Sequence, residues 1–257
     1  MNIPVEVDVQ IVNYKTKDYL ERCVASVTED AKSSGVFISI HVVDNASGDD
    51  LDYLEEQFSD VHVHYLDKNY GFGAGNNVLA RKGNAPYILI LNPDTQFIEP
   101  HTISRLLRWL KEENGSVVGP RLVTDENITQ VWDHGDIAGW FGCLWWFFVK
   151  SSWHEHKSPT RVAWVSGACL LIKRSAFQEV GGFDEGFFLY HEELDMEFRL
   201  GNLGHAVWYD PTITVFHKGS VVASKEKHME ASDRYLAQKY YSWPLNKFIP
   251  WVLSLFR

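Results

Sequence analysis

The sequence predicts an α/β protein built on a mostly parallel, doubly wound sheet. Two observations carry this. Short β-rich runs alternate with helical stretches through the first half of the 257-residue chain, and one run, YILILN (87–92), is apolar nearly throughout, as a strand covered on both faces must be. A chain of this length can bury one sizeable core with a short appendage.

VEVDVQIV (5–12) reads as the first strand, and the stretch from Asp18 to Ser33 as a helix whose apolar stripe is Leu20, Cys23, Val24 and Val27. FISIHVVD (37–44) is the second strand, followed by a short helix around Leu51, Leu54 and Phe58. VHVHYL (61–66) is the third, and a Gly/Asn-rich turn then opens another helix. YILILN is the fourth, and Ile103, Leu106, Leu107 and Leu110 mark the helix after it. Ligands of such sheets sit beyond the carboxyl ends of the strands. The residues that matter are therefore Asn13, then Asp44 and Asn45, then Asn69 to Asn76, and finally Asn92 to Thr95.

With 34 acidic against 24 basic residues the chain carries a formal charge of −10, which opposes binding to nucleic acid. Cys23, Cys143 and Cys169 are three in number, widely separated and in no metal-ligand spacing, which predicts free thiols and a cytoplasmic setting. The start MNIPVEVDVQ lacks the features of a secretory signal, and no run is long and apolar enough to predict a transmembrane helix. PLNKFIPWVLSLFR (244–257) is strongly apolar with two basic residues. It is read either as a helix docking on the core or on a second copy of the chain, or as a peripheral membrane contact. Residues 125–165 break the βα pattern and hold six of the ten tryptophans. Trp132 and Trp164 among them are candidates for stacking on an acceptor sugar; local core, a membrane-facing patch and a subunit interface are the alternatives.

Four clusters could carry chemistry. Asp94, in NPDT (92–95), stands at the mouth of the most apolar strand. It is either a turn residue or a ligand to a divalent cation that bridges a diphosphate. Gly71, Gly73 and Gly75 precede a helix, as a plain turn or as a close approach to an anion at the helix N-terminus. Glu192, Glu193 and Asp195 crowd one helix start, as dipole-favoured surface acids or as a carboxylate of raised pKa suited to taking a proton. His217 follows the β-rich run TITVF (212–216) and is either an ordinary surface or core histidine or the completion of a metal site.

Seven segments in order resemble the family 2 glycosyltransferases, in particular their bacterial rhamnosyltransferase-like branch. They are VQIVNY (9–14), VVDNASGDD (42–50), NYGFGAGNN (69–77), LNPDT (91–95), VSGACLLIKRSAFQEVGGFDEGFF (165–188), YHEELD (190–195) and VFHKGS (215–220). The resemblance implies a GT-A fold over residues 1–222, with a nucleotide-sugar-binding half (1–120), an acceptor-binding half (121–222) and a C-terminal helical segment (223–257). It implies that Asp44 contacts the base, that Val12, Asn13 and Asn45 line the nucleotide pocket, and that Asn69, Gly71, Phe72 and Asn76 lie beside the diphosphate with Asn92 and Pro93. Asp94 and His217 would hold Mg²⁺ or Mn²⁺. The catalytic base would be Glu193 or Glu192, and Gly167, Ala168 and Asp195 would face the acceptor.

The implied reaction is inverting transfer from a nucleotide sugar, dTDP-L-rhamnose or alternatively a UDP-sugar, to a saccharide or lipid-linked oligosaccharide in surface polysaccharide synthesis. Two positions depart from the family pattern: Glu193 stands where Asp is usual, and Asn92 replaces the first acid of the common DxD arrangement. The rival classes are a nucleotidyltransferase and an inactive glycan- or nucleotide-binding protein.

Overall fold

The computed structural model describes residues 4–136, 153–219, 225–241 and 245–247. Its first half runs β1 (Val7–Asn13), α1 (Lys17–Ser34), β2 (Ile38–Asp44), α2 (Tyr53–Gln57), β3 (Val61–Tyr65), α3 (Phe72–Ala80) and β4 (Tyr87–Leu91). β5 (Thr95–Phe97), α4 (Thr102–Glu112), β6 (Val117–Val123), β7 (His134–Gly135), β8 (Thr160–Val162) and β9 (Trp164–Val165) follow. β10 (Cys169–Lys173), α5 (Arg174–Glu179), α6 (Glu192–Asn202), β11 (Val207–His217) and α7 (Lys225–Tyr240) complete the order.

Among the described residues, the main sheet has the order β3-β2-β1-β4-β10-β6-β11-β5, with β8 on the flank of β11. β3, β2, β1 and β4 are parallel, as the alternating pattern predicts, and the chain reverses direction across the sheet between β1 and β4. β10 then enters antiparallel to both β4 and β6, while β6 and β11 are parallel. An apolar run looks the same in either direction, so the periodicity carried no sign of this reversal. Its effect is to lay the start of β10 beside the end of β4, Cys169 opposite Leu91, and so to bring residues 166–168 to the carboxyl edge.

The strands are apolar on both sides because helices cover both. Leu89 and Leu91 of β4 pack into the layer that holds Leu20, Val24 and Val27 of α1 and Leu106 and Leu110 of α4. Ile88 and Ile90 face the opposite layer, with Ala176 and Phe177 of α5 and Met196 and Leu200 of α6. Each such side chain contributes roughly 1.5–3 kcal/mol on burial. α1 stops at Gly35, whose left-handed φ of 66° lets the Gly35 and Val36 N–H groups close back on Lys32 and Ala31. At the end of the sheet away from the site, Asp8 and Arg174 form a buried ion pair at 2.5 Å, and Arg174 also donates to the carbonyls of Ala80 and Ala85. Burial alone would raise the Asp8 carboxyl. His41, the Ala85 N–H and the Arg174 charge together hold it below the usual range.

No helix among the described residues is long and apolar enough to cross a membrane. α7 docks on the 184–195 segment: Lys239 pairs with both Asp184 and Asp195, and the Tyr235 ring packs edge-on against Phe187. Of the apolar C-terminal stretch, all but residues 245–247 lies outside the described residues.

Candidate active site

The ends of β1 and β2 meet in one buried polar knot. Asn13, wholly buried, donates through Nδ2 to Asp44 Oδ1 at 2.8 Å and to Asp49 Oδ2 at 2.9 Å, and its own Oδ1 accepts from Thr16. Asp44 also accepts from the Ser47 N–H and hydroxyl. Asn45 reaches across to the next loop, accepting from the Tyr70 N–H and donating to the Gly71 carbonyl, each at 3.0 Å. An open cleft of about 580 Å³ lies here, lined by Asp44, Asp49, Asp50 and Tyr65. Val12 turns the other way, with Val43 and Leu79 under α3, where Gly75 lets the helix backbone close on its methyls.

At the end of β4 the chain turns through Asn92 and Pro93 into β5, which pairs antiparallel with β11 so that His217 stands opposite Thr95. That register carries His217 to Asp94, with Nε2 3.4 Å from Oδ1. Asp94 Oδ2 accepts from the Gly219 N–H at 2.9 Å. Burial pushes the Asp94 carboxyl up, but His217 and the Gly219 N–H outweigh it and the net shift is downward. The protons on the His217 ring follow from Gln130. Its amide nitrogen donates to the His217 carbonyl at 2.7 Å, which leaves Oε1 to accept from Nδ1 at 2.8 Å. Nδ1 therefore carries a proton, and Nε2 lies 3.3 Å from Asn92 Nδ2. Nε2 and the Asp94 oxygen that faces it are held together by a proton or by a cation between them. This donor set, an imidazole nitrogen oriented by an outer hydrogen bond beside an ionised carboxylate, fits a divalent metal.

The acid pair sits at the start of α6. Tyr190 and His191, immediately before it, both have left-handed backbone, with φ of 73° and 70°. Two successive non-glycine residues there cost about 1–3 kcal/mol each and mark a site held by its surroundings. Glu192 is 3% exposed, which excludes a solvated helix start. Burial and the charge of Glu193 raise its carboxyl well above the usual range. Burial raises Glu193 as well, against the pull of backbone N–H groups that include that of Gly167. Neither Oε2 atom has a hydrogen-bond partner among the described residues. A Cβ at Gly167 would stand 3.6 Å from Glu193, and the carbonyl of the next residue, Ala168, accepts from the Asn92 N–H at 2.9 Å. Through Gly167, Ala168 and Asn92, Glu193 is thus linked to the pair formed by Asp94 and His217.

The glycine loop takes a different part from the one expected. The Gly71 N–H is held by Asn69 Oδ1 at 2.9 Å and the Phe72 N–H by the Phe188 carbonyl at 3.0 Å, so neither is directed at an anion. Gly71 is needed because its φ is 91° and a Cβ would lie 2.2 Å from the Phe188 oxygen. Asn76 is fully buried and bonded to the Phe72 carbonyl, inside α3 rather than on the cleft. Asp195 is likewise turned inward, bound by Arg199 at 2.8 Å, Lys239 at 2.6 Å and Tyr240 at 2.6 Å. Trp132 is 57% exposed two residues from Gln130, and the half-buried Trp164 lies over Gly135. Cys23 and Cys169 are free and buried, and burial pushes the Cys23 thiol up to about 12. Cys143, Trp140, Trp145 and Trp146 lie outside the described residues. Sequence reasoning missed Gln130, Asp49 and Asn77; the last ties α3 to Phe183 and Glu185.

Comparison with known proteins gives the family and the fold. The family model for glycosyl transferase family 2 matches residues 8–181. The N-acetylglucosaminyl-diphospho-decaprenol L-rhamnosyltransferase of Mycobacterium tuberculosis is 28% identical, covering 90% of this chain and 84% of its own. Rhamnosyltransferase WbbL of Escherichia coli is 24% identical over 89% of this chain and 92% of its own. The low-salt glycan biosynthesis hexosyltransferase Agl10 of Haloferax volcanii is 26% identical, covering 90% and 75%. Among solved structures, GalNAc-T7 with UDP, GalNAc and Mn²⁺ superposes with a TM-score of 0.66 at 14% identity, over 91% of this chain and 48% of that one. The mannosyltransferase PcManGT of Pyrobaculum calidifontis, in complex with GDP-Man and Mn²⁺, gives 0.62 at 15% identity, over 92% and 63%. This chain therefore spans about half to two thirds of those structures, and the likeness to these glycosyltransferases shows the GT-A fold.

Proposed function

This chain belongs to glycosyl transferase family 2, and on that premise we propose that it is a metal-dependent, inverting transferase. Its donor is dTDP-L-rhamnose, and its acceptor a saccharide or lipid-linked oligosaccharide of surface polysaccharide synthesis. The observation that carries the metal reading is the convergence of His217 Nε2, on a ring oriented by Gln130, with Asp94 Oδ1 at 3.4 Å. Asp94 and His217 would hold Mg²⁺ or Mn²⁺. Bound there, the ion would neutralise charge on the departing diphosphate. The two rhamnosyltransferases among the relatives support the choice of sugar, and the decaprenol-linked acceptor in the name of one supports a lipid-linked acceptor.

The protein's own groups account for the rest. Asn13 and Asp44 stand at the cleft that would take the base, and Asn45 fixes the loop beside it. Glu192 is raised more strongly than Glu193, which leaves Glu193 the readier of the two to take the charge and act as the base. The acceptor hydroxyl oxygen attacks the anomeric carbon, its proton passes to Glu193, and the bond to the diphosphate breaks on the opposite face. Glu193 is one methylene longer than the aspartate usual at this position.

The test is a panel of nucleotide sugars with and without Mn²⁺. Transfer from dTDP-L-rhamnose with release of dTDP, lost on chelation and in Glu193→Gln, is expected. Turnover of UDP-sugars alone would overturn the donor, and pyrophosphate released from a nucleoside triphosphate would point to a nucleotidyltransferase instead.

A further inference from the structure

A second group of metal-ligating side chains lies outside this site, where residues 133–136 and 153–156 meet. His134 is fully buried and stacked on Tyr209, with ring centres 3.9 Å apart. Its Nδ1 is 2.7 Å from Oδ1 of Asp133. Asp133 is itself buried and accepts from Trp153 Nε1 at 2.9 Å, the Tyr209 hydroxyl at 2.7 Å and the Leu122 N–H at 3.3 Å. A carboxylate with three other donors on it can only accept from His134, so Nδ1 holds a ring proton.

Nε2 faces the His154 carbonyl oxygen at 3.0 Å. A proton or a metal ion has to sit there. The surroundings favour the metal, because a second carboxylate and further imidazoles converge on the same point. Asp136 is 2.8 Å from His156 Nε2 through one oxygen and 2.8 Å from His154 Nδ1 through the other. Ligand atoms of His134, Asp136 and His156 all lie within 4.8 Å of one another. His156 and Asp136 are only partly buried, so both can turn inward and solvent can reach the point between them.

We propose that His134, Asp136 and His156 bind a zinc ion, with Asp133 orienting His134 and His154 available as the fourth ligand. Two or three imidazoles with one carboxylate form a borderline set that suits zinc, whereas a hard ion such as Mg²⁺ takes oxygen ligands. The ligands come from both sides of residues 137–152 in the sequence, so the ion would fasten together the two chain segments that flank them. It would serve structure rather than transfer.

The full chain, purified without chelator and dialysed, should retain zinc at one per chain by elemental analysis. Replacement by Co²⁺ should give the visible bands of a tetrahedral site. Asp136→Asn leaves the buried His134 packing intact, while His156→Ala also removes a ring 5.1 Å from that of His134. Each should weaken zinc by more than the roughly 100-fold upper range for losing an outer partner, and each should abolish the rise in Tm that added zinc gives the parent. Asp94→Asn should leave zinc content unchanged, which separates this site from the transfer site. A parent protein that holds no zinc and shows no Co²⁺ bands would overturn the proposal, as would retention of zinc by both variants.

Discussion

Gln130→Leu tests the reasoning that makes His217 a metal ligand. The substitution removes the acceptor on Nδ1 and the donor on the His217 carbonyl, at 2.8 and 2.7 Å, and touches neither Asp94 nor the ring itself. Were these ordinary hydrogen bonds, losing one would cost about 1 kcal/mol, roughly fivefold in an equilibrium. Losing the outer partner that fixes a ligating imidazole costs about 10- to 100-fold in metal affinity, or about 1.4–2.7 kcal/mol. Mn²⁺ affinity by titration calorimetry, at saturating nucleoside diphosphate, should therefore fall by at least tenfold. Gln130→Glu keeps an acceptor for Nδ1 but sets an oxygen against the His217 carbonyl, and should fall between the parent and Gln130→Leu. Gln130 is half-buried, so Tm should move little in either variant and serves as the control for folding. If Gln130→Leu binds Mn²⁺ within twofold of the parent, the tautomer argument fails, and with it the structural case for metal at Asp94 and His217.

Gly71→Ala should cost far more than its size suggests, since the added methyl meets the Phe188 carbonyl at 2.2 Å on a left-handed backbone; a Tm drop with loss of transfer is expected, and an unchanged melt would refute the close packing. The Glu192 carboxyl is raised in the folded state, so the native protein binds more protons than the unfolded chain between the ordinary glutamate value and the raised one. Stability from this group is present below that window and falls as pH rises through it. Glu192→Gln should flatten that slope in urea unfolding measured from mildly acidic to neutral pH, and an identical slope would remove the raised carboxyl. Arg174→Met leaves Asp8 charged and buried, and should lower unfolding free energy by about 3–5 kcal/mol in the same assay. A loss under 1 kcal/mol would mean that Asp8 finds water or His41 instead.

The alternation of strands and helices was legible because it is local, and so were Asn13, Asp44 and Asn45, which lie where a parallel sheet presents its ligands. The pairing of Asp94 with His217 was reachable only through family resemblance. What makes it physically is the β5–β11 register, a long-range fact with no period of its own. Gln130 carries no motif, and only the fold shows that a glutamine before an exposed tryptophan grips the ring of His217 from both sides. Asp195 misled for the opposite reason. Beside Glu192 and Glu193 in a first turn it looks like a third surface acid, yet it is fully buried, and α7 meets it there with Lys239 and Tyr240.

That contact bears on the turn before α6. Two left-handed residues, Tyr190 and His191, persist only if something over-determines them. His191 Nε2 is 2.7 Å from Asp233 Oδ1, the Ser232 hydroxyl donates to the Leu189 carbonyl at 2.7 Å, and Lys239 joins Asp184 to Asp195 on either side of the turn. All three attachments come from α7. The helix that the sequence assigns to a segment apart, beginning at residue 223, is therefore the brace that holds the turn leading into Glu192 and Glu193.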